Sequence, residues 1–458
     1  MYSYSSIGAP VPFACAPDHR RAPCRGLNRI RRPDSILRNA IDHFPERTIR
    51  AAVVVAEAAM LGSALLRAPP RSGNNDPTYL TTVPKQRGGD MKPWFRKLAG
   101  TVLAVAGLTI AAGVSAQQKI RIQTAVPSAS IYFELMKRYA DRIDRMTAGK
   151  LKIDILPDGA VVPAFEILDA VDKGIVEGGF AWSHYWSGKH PAAGLFSNPM
   201  AGAGAGLDQV SHMAWLAEGG GQALYEKLYN DVLKVKVVGM MLQPMGPDPL
   251  GWFKQPIASV EDFKKMKYRS PPGVTGEIFK EMGVAAVAMP GGEIVPAAQR
   301  GVIDAAEWIG PADDVNLGLH RVWKHYYLQG LHQSTDVGEV LFNKTWFDKQ
   351  TPDVKEILRS AAMATIADTY VFNVSRNAKA LEKLKSESQV VVHDTPADFF
   401  PAFIKATNTV LDRHAAKDAF FKEVLESQRA FGKTVVPYWT KINALYTNMG
   451  NAALQDKK

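Results

Sequence analysis

Residues 98–118 hold no charged side chain, and Lys92, Arg96 and Lys97 stand just before them. The run is rich in Ala, Leu, Val and Gly and closes on Val114-Ser115-Ala116. A basic start, an apolar centre and a small-residue end make a secretory leader. Cleavage after Ala116 is expected, giving a mature exported chain that begins at Gln117. The competing reading is an uncleaved anchor, because the run is about long enough to span a bilayer. Its Ala, Gly and Thr content and its small closing residues favour the leader.

A leader works at an N-terminus, so Met91 is the expected start. Residues 1–90 are rich in Arg and Pro, with one apolar stretch, Ala51–Leu66, interrupted by Glu57. They are read as a mis-called N-terminal extension, with a genuine disordered extension as the alternative. Arg87-Gly88-Gly89 can be encoded by a purine-rich, AGGAGG-like stretch, which would be a ribosome-binding site read as protein.

Charge divides at the same place. A net charge of +10 would raise nucleic acid or an anionic membrane as partners. Sixteen Lys and Arg but only seven acids lie in residues 1–100, and residues 101–116 have no charges, so the chain from Gln117 carries +1. No nucleic-acid partner is expected. Both cysteines, Cys15 and Cys24, also precede Gln117. A catalytic thiol, a disulfide framework and a Cys-ligated metal are therefore excluded from the mature chain.

About 340 residues remain, enough for two lobes with separate cores. Strands are expected at Ile120–Val126, Leu151–Leu156, Gly178–Trp182 and Val235–Leu242. Helices are expected at Ile131–Thr147, with apolar spacing at Phe133, Met136, Tyr139, Ile143 and Met146, and at Ala164–Lys173 before Gly174. The pattern repeats with strands at Lys267–Arg269, Ala285–Ala288 and Ile303–Trp308 around helices Thr275–Met282 and Ile294–Arg300. A long helix at Asp353–Lys385, a strand at Val390–His393 and a helical tail over Pro401–Asn448 complete the chain. Such alternation implies α/β architecture with a mostly parallel sheet. Dinucleotide, P-loop, nucleophile-elbow and zinc-protease motifs are all missing. Gly219-Gly220-Gly221 and the Ala201–Gly206 run read as loops.

Two segments carry recognition. Gly246–Arg269 reads GPDPLGWFKQPIASVEDFKKMKYR, and Met289–Pro311 reads MPGGEIVPAAQRGVIDAAEWIGP. Together they resemble the solute-binding proteins of TRAP (tripartite ATP-independent periplasmic) transporters, the DctP-type family, and within it the 2-oxoacid-binding branch. The specific pieces are Gly251-Trp252-Phe253, the Val260-Glu261-Asp262-Phe263 turn before Tyr268-Arg269, and Asp304-Ala305-Ala306-Glu307-Trp308 with Gly310-Pro311. The resemblance covers Gln117–Asn448. It implies a type II periplasmic-binding-protein fold, two α/β lobes joined by a hinge, with a long C-terminal helical segment.

Arg269 is the expected carboxylate partner. Arg offers two parallel charge-assisted bonds, and a strand's carboxyl edge is where open α/β sheets bind ligands. The resemblance makes Arg269 the family's carboxylate-pairing residue. Glu307 ends a buried apolar strand, so it needs a partner. In the branch resembled, the matching Glu and the main chain of the matching Trp, here Trp308, bind sodium or calcium, which bridges to the ligand. Oxygen ligands suit such hard cations. Asp248 stands where that branch shows Gln, and Gln333 where it shows Glu. The expected metal set is Glu307, Trp308, Asp248 and Gln333. If the ion is lost, Gln333 and His332 would bond the ligand directly. Tyr185 and Trp186, in His184-Tyr185-Trp186, match the family's aromatic cleft wall. The substrate set is Arg269, Tyr185, Trp186, Asp248, Trp308 and Gln333.

The expected function is capture of a small 2-oxoacid or 2-hydroxyacid, such as pyruvate or lactate, for delivery to a TRAP membrane permease. No catalytic residue and no organic cofactor is expected. The alternatives are a dicarboxylate, aromatic or sugar acid bound without metal, or a metal-dependent hydrolase or lyase using Asp248 and Glu307. Lobe I is expected at 117–246 plus about 305–335, lobe II at 247–304 plus about 336–410, and a C-terminal helical segment at 411–458. The resemblance also implies a homodimer formed through that segment.

Overall fold

The computed structural model describes residues 117–455. The leader, its cleavage site and the N-terminal extension lie outside the described residues.

Two mixed sheets organise the chain. The first contains β1 (Gln118–Thr124), β2 (Leu151–Leu156), β3 (Gly178–Trp182), β4 (Val237–Met245) and β10 (Asp336–Asn343), in the order β2-β1-β3-β10-β4. The second contains β5 (Gly251–Phe253), β6 (Lys267–Ser270), β7 (Ala285–Ala288), β8 (Ala305–Ala306), β9 (His325–Tyr327) and β11 (Val391–His393), in the order β11-β9-β5-β8-β6-β7. Each sheet has one strand that runs against the rest. In the first it is β10, antiparallel to both β3 and β4. In the second it is β5, antiparallel to both β8 and β9. These are the strands the chain enters on crossing between lobes, from β4 into β5 and from β9 into β10. The expected mostly parallel α/β architecture is thus present in both lobes.

The expected lobe boundaries are reversed at one point. β8 and β9 pair in the second sheet, and β10 sits inside the first. Residues 305–335 therefore do not supply strands to the first lobe, and 336–343 do not supply one to the second. The reason is burial. β10 reads Asp-Val-Gly-Glu-Val-Leu-Phe-Asn and is buried from Asp336 to Phe342, so it lacks the in-out alternation of a half-exposed strand. Its Glu339 is held inside by the Tyr225 and Tyr229 hydroxyls and the Trp186 indole.

Helix α1 (Ile131–Met146) shows how the first lobe closes. The Ser130 hydroxyl accepts the Tyr132 N–H at 3.1 Å and caps it. Phe133, Met136, Tyr139 and Ile143 then fall on one buried face. In the second lobe, α2 (Val274–Glu281), α3 (Gly291–Gln299) and α4 (Pro311–Leu317) follow β6, β7 and β8. Phe263, Tyr268, Phe279 and Phe403 pack there edge-on and tilted.

The long α5 (Pro352–Glu387) lies on β4, α1 and α4 before the chain enters β11. It therefore braces the crossings. The expected helical tail is two helices, α6 (Phe399–Lys417) and α7 (Ala419–Gln455), broken where Asp418 turns extended. α6 packs on α2 of the second lobe, and α7 returns to the first. No helix of the described residues is long and apolar enough to cross a membrane.

Candidate functional site

The cleft forms where parallel strands of both sheets end, as open α/β folds dictate. Trp182, His184 and Tyr185 come from the end of β3, and Arg269 and Pro271 from the end of β6. Glu307, Trp308 and Ile309 follow β8, and Gln333 and Asp336 lie on the return to β10. The walls stand close together and leave only a narrow cleft between them. The walls touch across it: Asn198 of the first lobe donates to the Thr275 hydroxyl of the second at 2.9 Å, out of solvent.

Arg269 is buried and held on two sides. Nε and Nη2 donate to the Met289 carbonyl at 3.1 and 2.9 Å, and Nη1 forms an ion pair with Glu307. Its guanidinium lies 5.6 Å from the centre of the Trp308 ring. Nη2 carries two N–H bonds and gives one to Met289, so its second is left for a ligand. Tyr268, the preceding residue, anchors the strand by donating to the Leu250 carbonyl at 2.9 Å. Trp308 is fixed by its indole N–H to Asp313, 2.7 Å.

Glu307 reaches the site because β5 and β8 approach closely. Gly251 has φ +108°, and a Cβ there would collide with the Ala306 carbonyl. Only glycine adopts this conformation without strain, so the glycine of Gly251-Trp252-Phe253 seats the strand that ends in Glu307.

The two crossings between lobes run side by side. The Asp248 N–H donates to the Gln333 carbonyl at 3.1 Å. They bring Asp248, His332 and Gln333 together beside Glu307. Ligand atoms of Asp248, Glu307 and His332 lie within 4.8 Å of one another, and all three residues are buried. Asp248 Oδ1, Gln333 Oε1 and both ring nitrogens of His332 have no hydrogen-bond partner among the described residues. Buried polar atoms are normally satisfied, so this cluster is shaped for something that enters it.

The electrostatics point the same way. Asp248, Glu307 and Asp336 are buried around a single guanidinium. Burial, and then the charges of Asp336 and Glu307, push the Asp248 carboxyl well above its usual range. Burial outweighs Arg269 at Glu307 and raises it to about 8. Asp336 is raised by burial against the pull of His184, whose Nδ1 stands 3.5 Å away. His332 is lowered by burial, and next by Arg269, to about 3.

A model of the DctP family, described as bacterial extracellular solute-binding protein, family 7, matches residues 122–418. The chain belongs to this family. A monocarboxylate 2-oxoacid-binding periplasmic protein of Nostoc sp. is 34% identical over 337 residues, covering 73% of this chain and 89% of that one. A TRAP solute-binding protein of Bordetella bronchiseptica, crystallised as a mixed-occupancy dimer with calcium and picolinate in one site, superposes with a TM-score of 0.70. It has 26% identity and covers 75% of this chain and 99% of its own. A TRAP periplasmic solute-binding protein of Pseudoalteromonas atlantica with bound sodium and pyruvate gives 0.67 and 26%, covering 73% and 99%. This DctP-family protein is accordingly a TRAP-type solute-binding protein and not an enzyme, which sets aside the hydrolase or lyase expectation for Asp248 and Glu307. Its α/β lobes with C-terminal helices match the fold of those structures.

The structure brings Arg269, Tyr185, Trp308, Glu307 and Gln333 to the cleft wall and sets Asp248 beside Glu307. Trp186 goes elsewhere. Its indole donates to Tyr229 at 2.8 Å in the first-lobe core, because the short helical turn after β3 points consecutive side chains apart. Asp336 and Trp182 were not anticipated at the site. A buried acid opening a strand was a signal for Asp336, hidden while β10 went unrecognised.

These raised carboxyls favour the proton in the folded state. Their contribution is therefore fully present below the unfolded values and is lost as pH climbs through the folded ones. Cation-free protein should lose thermal stability between about pH 4.5 and about pH 8. Scans of Glu307→Gln should show a shallower fall, the remainder coming from Asp248 and Asp336, and an equally steep fall in that variant would contradict the assignment.

Proposed function

We propose that this family member captures a small 2-oxoacid or 2-hydroxyacid carboxylate, such as pyruvate or lactate, in the periplasm and presents it to a membrane permease. The observation that carries this reading is the buried Arg269, with a donor to spare, beside a cluster of buried acids in the narrow cleft between the lobes. The ligand's carboxylate pairs with Arg269. Three buried acids plus that carboxylate against one guanidinium leave negative charge to be neutralised. A sodium or calcium ion held by Asp248, Glu307, Gln333 and the Trp308 main chain would do so and would bridge to the ligand's 2-oxygen. The orphaned Asp248 and Gln333 oxygens fit that ion. Tyr185, packed edge-on against Phe165 and His184, forms the aromatic side of the cleft. Because the ion's ligands sit on both crossings and the guanidinium on the second lobe, ligand and ion favour the lobes together.

A second copy of this chain is the partner proposed for the C-terminal segment. On α7, Tyr438, Leu445, Tyr446 and Met449 are exposed, and on α5 Met363, Val371 and Val374 are exposed at helical spacing. Apolar stripes of this kind mark interaction surfaces. Sedimentation should show a dimer that Leu445→Glu with Tyr446→Glu dissociates. A wild-type monomer at micromolar concentration would overturn this reading.

Pyruvate or lactate should raise the unfolding temperature and be recovered unchanged, since a bound ligand stabilises the folded state by mass action. Arg269→Ala should weaken binding by about 3 kcal/mol, roughly 100-fold, in calorimetry. Near-unchanged affinity would reject the role of Arg269, and stabilisation only by dicarboxylates, aromatic acids or sugar acids would reject the ligand class.

A further inference from the structure

His325 and His393 face each other at the edge of the second sheet, with His325 Nδ1 and His393 Nε2 2.9 Å apart. The parallel register sets them there. It pairs His325 with Val391 and Tyr327 with His393, so the two imidazoles rise from one face, two positions apart. Tyr327 lies nearly flat against the His393 ring, 4.8 Å between centres and 16° from parallel. Tyr327 is itself fixed, because its hydroxyl accepts the Ile257 N–H at 2.7 Å and donates to the Ile257 carbonyl at 2.9 Å. Both imidazoles are half-buried. β5 and β8 stand between β9 and β6, so the pair lies apart from Arg269 and the cleft.

Other histidines of this chain are set against oxygens. His184, His190 and His414 each face a carboxylate, and His212 Nε2 meets the Phe196 carbonyl. His325 and His393 are set against each other instead. Two imidazoles this close hold one proton between them, one ring donating and the other accepting. The same spacing suits two neighbouring ligands of one metal ion. With metal–nitrogen bonds of about 2.0–2.1 Å, two nitrogens stand ~2.9 Å apart on a square-planar centre and ~3.3 Å apart on a tetrahedral one. Burial, and then the His325 ring, lower His393 from its usual value, so its lone pair is free at neutral pH. We infer that His325 Nδ1 and His393 Nε2 together bind a divalent ion of the zinc, nickel and copper class, with water completing the shell. Imidazole suits these ions, whereas calcium takes oxygen ligands. The ion ties the three-residue edge strand β11 to β9 and so adds to the stability of the second lobe. It plays no part in holding the carboxylate ligand.

The test uses mature protein labelled with 15N at histidine, stripped with chelator and then saturated with calcium and pyruvate, with zinc as the probe. Zinc should shift the ring nitrogens of two histidines together, and His393→Gln and His325→Gln should each abolish the paired shift. Equilibrium dialysis should show zinc binding weakened by roughly tenfold or more in either variant, at least the loss that removing an outer-shell partner causes. Zinc should also raise the unfolding temperature of the wild type and leave that of both variants where it was. Far-ultraviolet circular dichroism reports that the variants fold. Zinc that shifts one ring alone, that shifts only other histidines, or that binds either folded variant as tightly as the wild type would overturn the proposal.

Discussion

One guanidinium, that of Arg269, faces the buried carboxylates of Asp248, Glu307 and Asp336, and much of the molecule serves that imbalance. Burying a charge is costly unless it is paired. Glu307 is paired directly with Arg269. Asp248 has an oxygen with no partner among the described residues, and burial and its neighbours push it toward the protonated form. A site built this way is under-neutralised by design. On the proposed reading a cation would stabilise its ionised form, and a carboxylate ligand would complete the set through Arg269.

The fold explains why the imbalance sits where it does. Each sheet admits one reversed strand, and each reversed strand is fed by a crossing from the other lobe. The crossings lie side by side, tied by the Asp248 N–H to Gln333 carbonyl bond. The residues most in need of a ligand are therefore on the segments that connect the two lobes. On the proposed reading, ligand and ion contacts to these segments and to Arg269 would favour the closed arrangement of the lobes.

Much of this was legible in the chain. The apolar runs gave β2, β3 and β7 to the residue and β6 and the long helix α5 to within two, while β1 begins and ends two residues earlier than expected. Arg269, Glu307 and Trp308 were legible from the Tyr268-Arg269 and Glu307-Trp308 segments. β10 was not, because Gly338 and Glu339 interrupt its apolar run, and its loss moved the lobe boundary. Trp186 was misplaced because a helical turn sends neighbouring side chains to different faces. His332 was visible only as an alternative hydrogen-bonding group. Its position beside two carboxylates depends on residues more than eighty positions apart being brought together by the crossings.

A crystal structure of the mature protein grown with pyruvate and with sodium or calcium tests the central claim most directly. The account predicts the ligand's carboxylate on Arg269 and its 2-oxygen on an ion seated between Asp248 and Glu307, with both lobes in contact with the ligand. A carboxylate bound away from Arg269, or a ligand seated in the cleft with no ion at the Asp248–Glu307 centre, would contradict it.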